Sequence, residues 1–145
     1  MKKTLLGIDL GTGGCKVTVI ETDGNMIAQA SVEYTTYHPK PHYCEQNPEE
    51  WYASLIKCLN QIKERNNINL KQIAAVCLDA STHNAVLLDK DMRIIRSTIM
   101  WNDQRSTKEV EFLEENCGED IFNISYQKVS PTWTLPQLLW IKNNI

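Results

Sequence analysis

Asp9, Lys16 and the glycine-rich residues between them form the string "DLGTGGCK" close to the N-terminus. A carboxylate at a strand end is a hard oxygen donor, suited to Mg2+ directly or through water. Gly11, Gly13 and Gly14 leave their backbone N–H groups uncovered, so these can converge on an anion as a nest. The Thr12 hydroxyl adds a donor, and Lys16 adds a point charge for a phosphate. Acid, nest and lysine together make a clamp for a nucleoside triphosphate and its metal. The string is neither G-x-x-x-x-G-K-[ST] nor G-x-G-x-x-G. Those motifs lead from a strand into a helix, whereas here the loop leads into another strand. A glycine-rich hairpin with a surface lysine is the plain alternative, and the full string D-x-G-T-x-x-x-K between two strands favours the clamp.

Two other constellations offer chemistry. Asp9 and Asp79 each end a strand, and with Glu45 they could gather two metals in a ribonuclease H-type nuclease. Against that stand the acidic balance of the chain and the loop with its lysine, which a nuclease does not need. His38, His42 and Cys44 have ligand chemistry, but they lie in a proline-bearing loop with no evident fourth ligand. A polar surface loop is the simpler reading there.

The elements that must position these residues follow from pattern. Lys3–Asp9 and Cys15–Thr22 read as strands, Asp23-Gly24 as a tight hairpin turn, and Met26–Tyr34 as a third strand, giving an antiparallel meander. The loop "TTYHPKPHYCEQN" contains two prolines and reads as irregular. Asn47-Pro48-Glu49-Glu50 is a helix start, with a capping Asn, Pro at the first position and acids at the positive end. Trp51, Leu55, Leu59 and Ile62, with Tyr52 and Ile56 beside them, make its apolar face down to about Arg65. "IAAVCL" at Ile73–Leu78 suits a strand buried on both faces of a parallel sheet.

Ala85–Leu88 and Ile94–Ile99 read as short strands around "DKDMR". Ser106-Thr107-Lys108-Glu109 has capping-box spacing, and its helix should stop near Gly118. A last helix starts near Leu135-Pro136 and carries Leu138, Leu139 and Ile141. It meets Ile145 without a cap, which reads as a fragment. Strand, strand, strand, helix, strand is the opening order of the ribonuclease H-like α/β fold.

The whole-chain numbers fit one domain. The 145 residues carry a net charge of −3, with 42% hydrophobic and 23% charged residues. That is ordinary globular composition, without the basic face a nucleic-acid partner requires. No run reaches the roughly 18 apolar residues of a membrane span. Asp9 also interrupts the N-terminal apolar run too early for a signal peptide. Five widely spaced cysteines, an odd number with no C-x-x-C pair, suit a reduced, cytoplasmic protein.

The segment "GIDLGTGGCKVTVIETDGNMIA" resembles the first phosphate segment of the actin/hexokinase/heat-shock-protein-70 ATPase superfamily. Downstream, "CEQNPEEWY", "DASTHNAVLLDKDMRIIRSTIMWNDQRS" and "LPQLLWIKNN" resemble the FGGY carbohydrate kinases, the group with xylulokinase, gluconokinase and glycerol kinase. The resemblance covers nearly all of the chain. It implies that residues 1–145 are the first part of the N-terminal kinase domain, without the rest of that domain or the C-terminal domain. It also implies transfer of the γ-phosphate of ATP, with Mg2+, to a sugar or polyol hydroxyl.

By the same resemblance Asp9 is the metal-associated acid, Gly11, Thr12 and Gly13 form the phosphate loop, and Lys16 is its basic residue. Thr82, His83 and Asn84 match the sugar-contacting stretch, and Trp101 packs an indole on substrate carbons. Asn102, Asp103 and Arg105 either meet hydroxyls or support the site; Asp103 is placed ahead of Arg105 as a contact, since Arg105 can pair with it. Gln137 stands where relatives often carry lysine. The family's catalytic base lies beyond residue 145, so the chain alone is expected to be an inactive fragment. A non-catalytic nucleotide- or sugar-binding module is the non-enzymatic alternative. A homodimer is left open, as is which sugar is phosphorylated.

Overall fold

The structure is a computed structural model that describes residues 3–66 and 68–145. In chain order the elements are β1 (Thr4–Leu10), β2 (Gly14–Glu21), β3 (Met26–Glu33), β4 (Glu45–Gln46), α1 (Pro48–Asn66), a 3₁₀ turn (Leu70–Gln72), β5 (Ile73–Ala80), β6 (Thr98–Ile99), α2 (Thr107–Ser125) and α3 (Thr134–Asn144). They divide into two compact units, Met1–Thr35 with Asn47–Ser81, and Thr36–Gln46 with Thr82–Ile145. No helix among the described residues is long and apolar enough to cross a membrane.

The first unit is a four-stranded sheet in the order β3-β2-β1-β5, with α1 packed on β2 and β3. β1, β2 and β3 form the expected antiparallel meander, and β5 joins β1 in parallel. Asp23 and Gly24 make the turn between β2 and β3. Gly24 takes φ +93°, and the Asp23 carboxylate accepts the Asn25 N–H at 3.2 Å. At the start of α1 the Asn47 side chain accepts the Glu49 N–H at 3.1 Å, as a capping residue should.

The core of this unit gathers Leu6, Cys15, Val17, Val19, Ala28, Ala30, Cys58 and Ile62. The buried face of α1 runs through Ser54, Cys58 and Ile62, while Tyr52 is 69% exposed and Ile56 39%. Leu55, Leu59 and Ile62 pack in or against the core as expected, and the correction falls on Tyr52 and Ile56 beside them. Small residues at 54 and 58 of α1 and at Ala28 and Ala30 of β3 allow helix and sheet to approach closely, which turns Tyr52 and Ile56 outward.

β5 also departs from expectation. It is the sheet's edge, and Val76 and Leu78 are 61% and 60% exposed instead of buried. They lie outside the cover of α1, which packs on β2 and β3. A continuous apolar run reports that a strand can be buried, not that this unit buries it.

The second unit is built around a two-stranded antiparallel pair, β4 with β6, which the proline-bearing loop concealed. The hairpin expected around "DKDMR" reduces to one bridge, Leu88 to Ile94. α2 and α3 pack on each other. The capping box is not formed. The Ser106 hydroxyl donates to the Pro131 carbonyl at 3.2 Å instead, and Glu109 is buried with Oε2 unpartnered. α2 does not stop at Gly118: it kinks at Cys117 (φ −152°) and runs on to Ser125. Tyr126, at φ +56°, supplies the left-handed closing residue, and its N–H donates to the Phe122 carbonyl at 2.7 Å.

Candidate functional site

Strand pairing assembles the first group of candidate residues. Asp9 stands opposite Lys16 across the β1–β2 ladder and opposite Asp79 across β1–β5. Neighbouring residues in register project to the same face, and alternate residues (Leu6, Ile8, Val17, Val19) point to the core. The face opposite the core thus carries Asp9, Lys16 and Asp79. With Gly7, Ile8, Thr18 and Cys77 they line a hollow of about 230 Å³. A second hollow of about 370 Å³ lies over Asp9, Lys16 and the loop glycines.

The loop itself is tighter than a nest. The Gly11 N–H is taken up by the Gly14 carbonyl at 3.1 Å, and Gly11, Gly13 and Gly14 all lack the positive φ that alternating nest geometry uses. The expected nest is therefore corrected to a closed turn. Its glycines serve three different ends. A Cβ at Gly14 would come within 2.7 Å of the Val32 carbonyl oxygen, so this glycine lets β2 lie against β3. A Cβ at Gly13 would meet nothing within 4 Å. A Cβ at Gly11 would stand 3.3 Å from Asp9 Oδ1, so its absence keeps one approach to that carboxylate clear. An oxygen donor with a cleared approach, next to a second carboxylate, fits a hard divalent cation.

Two residues that sequence reasoning did not assign here complete the surroundings. The Ser81 hydroxyl lies 3.3 Å from the Thr12 hydroxyl, and the Ser81 N–H extends the β1–β5 ladder by donating to the Leu10 carbonyl at 3.0 Å. Its position beside Thr12 ties Ser81 to the loop. Tyr34 donates its N–H to the Gly13 carbonyl at 3.1 Å, and its own hydroxyl is buried without a partner. Burial first, then the nearby Cys15, Asp9 and Cys58, raise that phenol well above its ordinary range. Neither role had a sequence signal, since each depends on a neighbour more than twenty residues away or on a backbone contact.

The second unit carries the other group. Thr82 and His83 are exposed, and His83 sits at φ +57°, an uncommon conformation for a residue with a Cβ. Such outliers cluster at functional sites. The Asn84 side-chain oxygen accepts the Trp101 N–H at 2.8 Å, which fixes the two segments together, and the Trp101 side chain is left 42% exposed. His83, Asn84 and Trp101 thus belong to one neighbourhood.

Asp103 does not behave as a ligand contact. It is 1% exposed, and both carboxylate oxygens are engaged. Oδ1 accepts the N–H and Nε–H of Arg105 at 2.8 and 2.9 Å; Oδ2 accepts Arg105 Nη2 at 2.8 Å and the Cys44 N–H at 2.5 Å. The expectation that Asp103 meets substrate is corrected to an internal strut. Glu45 is likewise paired within this unit, its Oε1 accepting Arg96 at 2.6 Å and Arg105 at 2.7 Å. The loop histidines form no metal centre. His38 Nδ1 lies 2.8 Å from the Tyr43 carbonyl, Cys44 is buried, and no group of three ligating side chains that could hold a metal occurs among the described residues. Gln137, which the sequence marks only as a departure from relatives, is buried in α3 and donates to the Met100 carbonyl at 3.1 Å.

Comparison with known proteins gives one consistent result. The model of the FGGY family of carbohydrate kinases, N-terminal domain, matches residues 4–145. A xylulose kinase of Bacillus subtilis is 34% identical over 142 residues, covering 98% of this chain and 28% of that protein. A glycerol kinase of Petrotoga mobilis is 28% identical over 147 residues, covering 30% of its length. Among solved structures, a "xyloylose kinase" from Brucella ovis superposes with a TM-score of 0.91 at 30% identity, over 97% of this chain and 29% of that one. Plasmodium falciparum glycerol kinase with ADP shares the fold, with a TM-score of 0.84 at 19% identity. The chain therefore has the actin/hexokinase-like ATPase fold, and it spans about 28–30% of the length of these relatives.

Proposed function

Since the chain belongs to the FGGY family of carbohydrate kinases, we propose that it is the first part of the N-terminal domain of an ATP-dependent sugar or polyol kinase. On its own the chain is inactive. The observation that carries this reading is the open sheet face where Asp9, with its approach cleared at Gly11, stands in register with Lys16 and Asp79. Asp9 holds Mg2+ directly or through water, and Lys16 and the Thr12 hydroxyl face phosphate oxygens. When bound, Mg2+ offsets the negative charge of the phosphates and of the transfer step.

In the second unit His83, Asn84 and Thr82 supply hydrogen-bonding groups to hydroxyls, and the exposed Trp101 ring packs on the apolar face of a sugar. A ketopentose of the xylulose type is the substrate class best supported, because relatives at 34% and 33% identity are xylulose kinases. The base that takes the hydroxyl proton is supplied from outside these residues. The protein acts in the cytoplasm.

The test is a coupled ADP-release assay on a chimera in which residues 4–145 replace the matching segment of the Bacillus subtilis xylulose kinase. The panel is ketopentoses, polyols and aldonates, with the 145-residue chain assayed alongside. Sugar-dependent ADP release by the chimera alone is the expected result. A chimera that folds but releases no ADP with any of them refutes the kinase reading. Turnover by the chain alone refutes the claim that it is inactive.

A further inference from the structure

Arg105 is a long cationic side chain of which only 1% is exposed. Four of its N–H groups, counting the backbone, are bonded to Asp103 and Glu45 at 2.7–2.9 Å. Its guanidinium carbon stands 3.8 Å from the Tyr43 ring centroid and 5.0 Å from that of Trp140, within cation–π range of both. Those two rings meet edge to face at 6.0 Å. The arginine is thus held at its fork by carboxylates and on its flat surface by aromatic rings, a combination that lysine cannot reproduce.

What this grip holds is the turn from Met100 to Arg105. Asp103, fixed by Arg105, accepts the Cys44 N–H, and the Asp103 N–H donates to the Met100 carbonyl at 3.0 Å. The Met100 N–H donates to the Cys44 carbonyl at 3.0 Å, and Gln137 donates to the Met100 carbonyl from α3. Trp101 follows Met100 directly, and its N–H is the group bonded to Asn84, next to the strained His83. We propose that Arg105 is a positioning residue. Through Asp103 and the Met100–Asp103 turn it sets where Trp101 and the Asn84–His83 segment stand, without touching the ligand itself. The substrate class and the kinetic part of the test rest on the sugar-kinase reading above; the positioning does not.

The experiment compares Arg105→Lys with Glu45→Gln, which removes one carboxylate arm and keeps the Asp103 pair. Leu113→Ala serves as control, since it weakens the buried part of α2 without touching the network. In the 145-residue chain, amide hydrogen exchange at Trp101 should quicken by about tenfold or more in Arg105→Lys, and less in Glu45→Gln, relative to amides in the middle of α2. In the chimera, Arg105→Lys should raise the sugar KM by about tenfold or more, with kcat held within about threefold. Leu113→Ala should lower the melting temperature while leaving both readouts near wild type.

Unchanged Trp101 exchange and unchanged KM in Arg105→Lys overturn the proposal. Equal changes in Leu113→Ala overturn it too, because they reduce Arg105 to general stability. If Arg105→Lys fails to fold, Glu45→Gln decides by the same two readouts. A chimera inactive with every sugar sinks the kinase reading, while the Trp101 exchange still decides the positioning.

Discussion

Asp9 of β1 and Asp79 of β5 are paired in register across a parallel ladder and line the same hollow. Two carboxylates side by side repel one another, a cost that a folded protein tolerates where a cation comes between them. Replacing Asp79 by Asn should therefore raise stability in metal-free buffer, by a few tenths of a kcal/mol to about 1 kcal/mol. Adding Mg2+ at millimolar concentration should raise the melting temperature of the wild-type chain and leave Asp9→Asn unmoved. In the chimera Asp9→Ala should reduce turnover by about 100-fold or more. An Asp9→Asn chain that still gains stability from Mg2+, or near-normal turnover in Asp9→Ala, rules out the metal role.

The loop glycines separate packing from openness. A methyl group at Gly14 would run into the backbone of Val32 at 2.7 Å and of Glu33 at 3.0 Å, neither of which can swing aside. Gly14→Ala should cost about 1–3 kcal/mol by forcing β2 and β3 apart. Gly13→Ala meets open space and should lie within about 0.5 kcal/mol of wild type. Urea unfolding of the two variants checks this. Equal losses would mean that the loop, not the strand contact, sets the requirement.

What the sequence made legible follows a physical line. The meander, the turn at Gly24 and the start of α1 rest on interactions within a few residues, so alternation, positive φ and the Asn47 cap could be read directly. The pairing of β4 with β6 joins two-residue strands more than fifty positions apart, and no local pattern marks it. Asp103 shows the same limit at the site. In sequence it is a polar residue in a ligand-facing motif, and only contacts with Cys44 and Arg105 turn it into a strut. Glu109 has the spacing of a capping box yet is buried and does not cap, because Ser106 bonds to Pro131 instead.

The cysteines predict an alkaline limit. Burial above all, with Cys58 and Asp9 nearby, pushes the Cys15 thiol from 9.0 up to about 12, and burial raises Cys58 as well. Below about pH 9 the thiol is neutral in both states, and its share of stability is fully present. Between pH 9 and 12 the unfolded chain loses this proton while the folded chain keeps it. Stability should then fall with rising pH, by on the order of 1 kcal/mol per pH unit from Cys15. Cys15→Ala should flatten that part of the fall in urea titrations at pH 8, 9.5 and 10.5. An unaltered slope removes Cys15 as the cause. At pH 8 a thiol reagent should modify the exposed Cys77 first, and reach the buried Cys15, Cys44 and Cys58 only on unfolding.

The charge network of the second unit yields the largest stability effect. Two arginines share one oxygen of Glu45, and Arg105 also holds Asp103, with Arg105 and Asp103 both 1% exposed at the side chain. Burial on its own would make Arg105 easier to deprotonate, but the bonds to Asp103 and Glu45 override it and hold the guanidinium above its ordinary range. Arg105→Ala would strand the Asp103 carboxylate in the interior with only the Cys44 and Arg105 backbone N–H groups for company. Leaving one half of a buried pair costs about 3–5 kcal/mol. Replacing both partners together removes the stranded charge, so Arg105→Met with Asp103→Leu should lose less than the two single changes added. A double-mutant cycle by urea unfolding measures this. Strict additivity would mean that the pair does not act as a unit and that the turn from Met100 to Arg105 is held by its backbone alone.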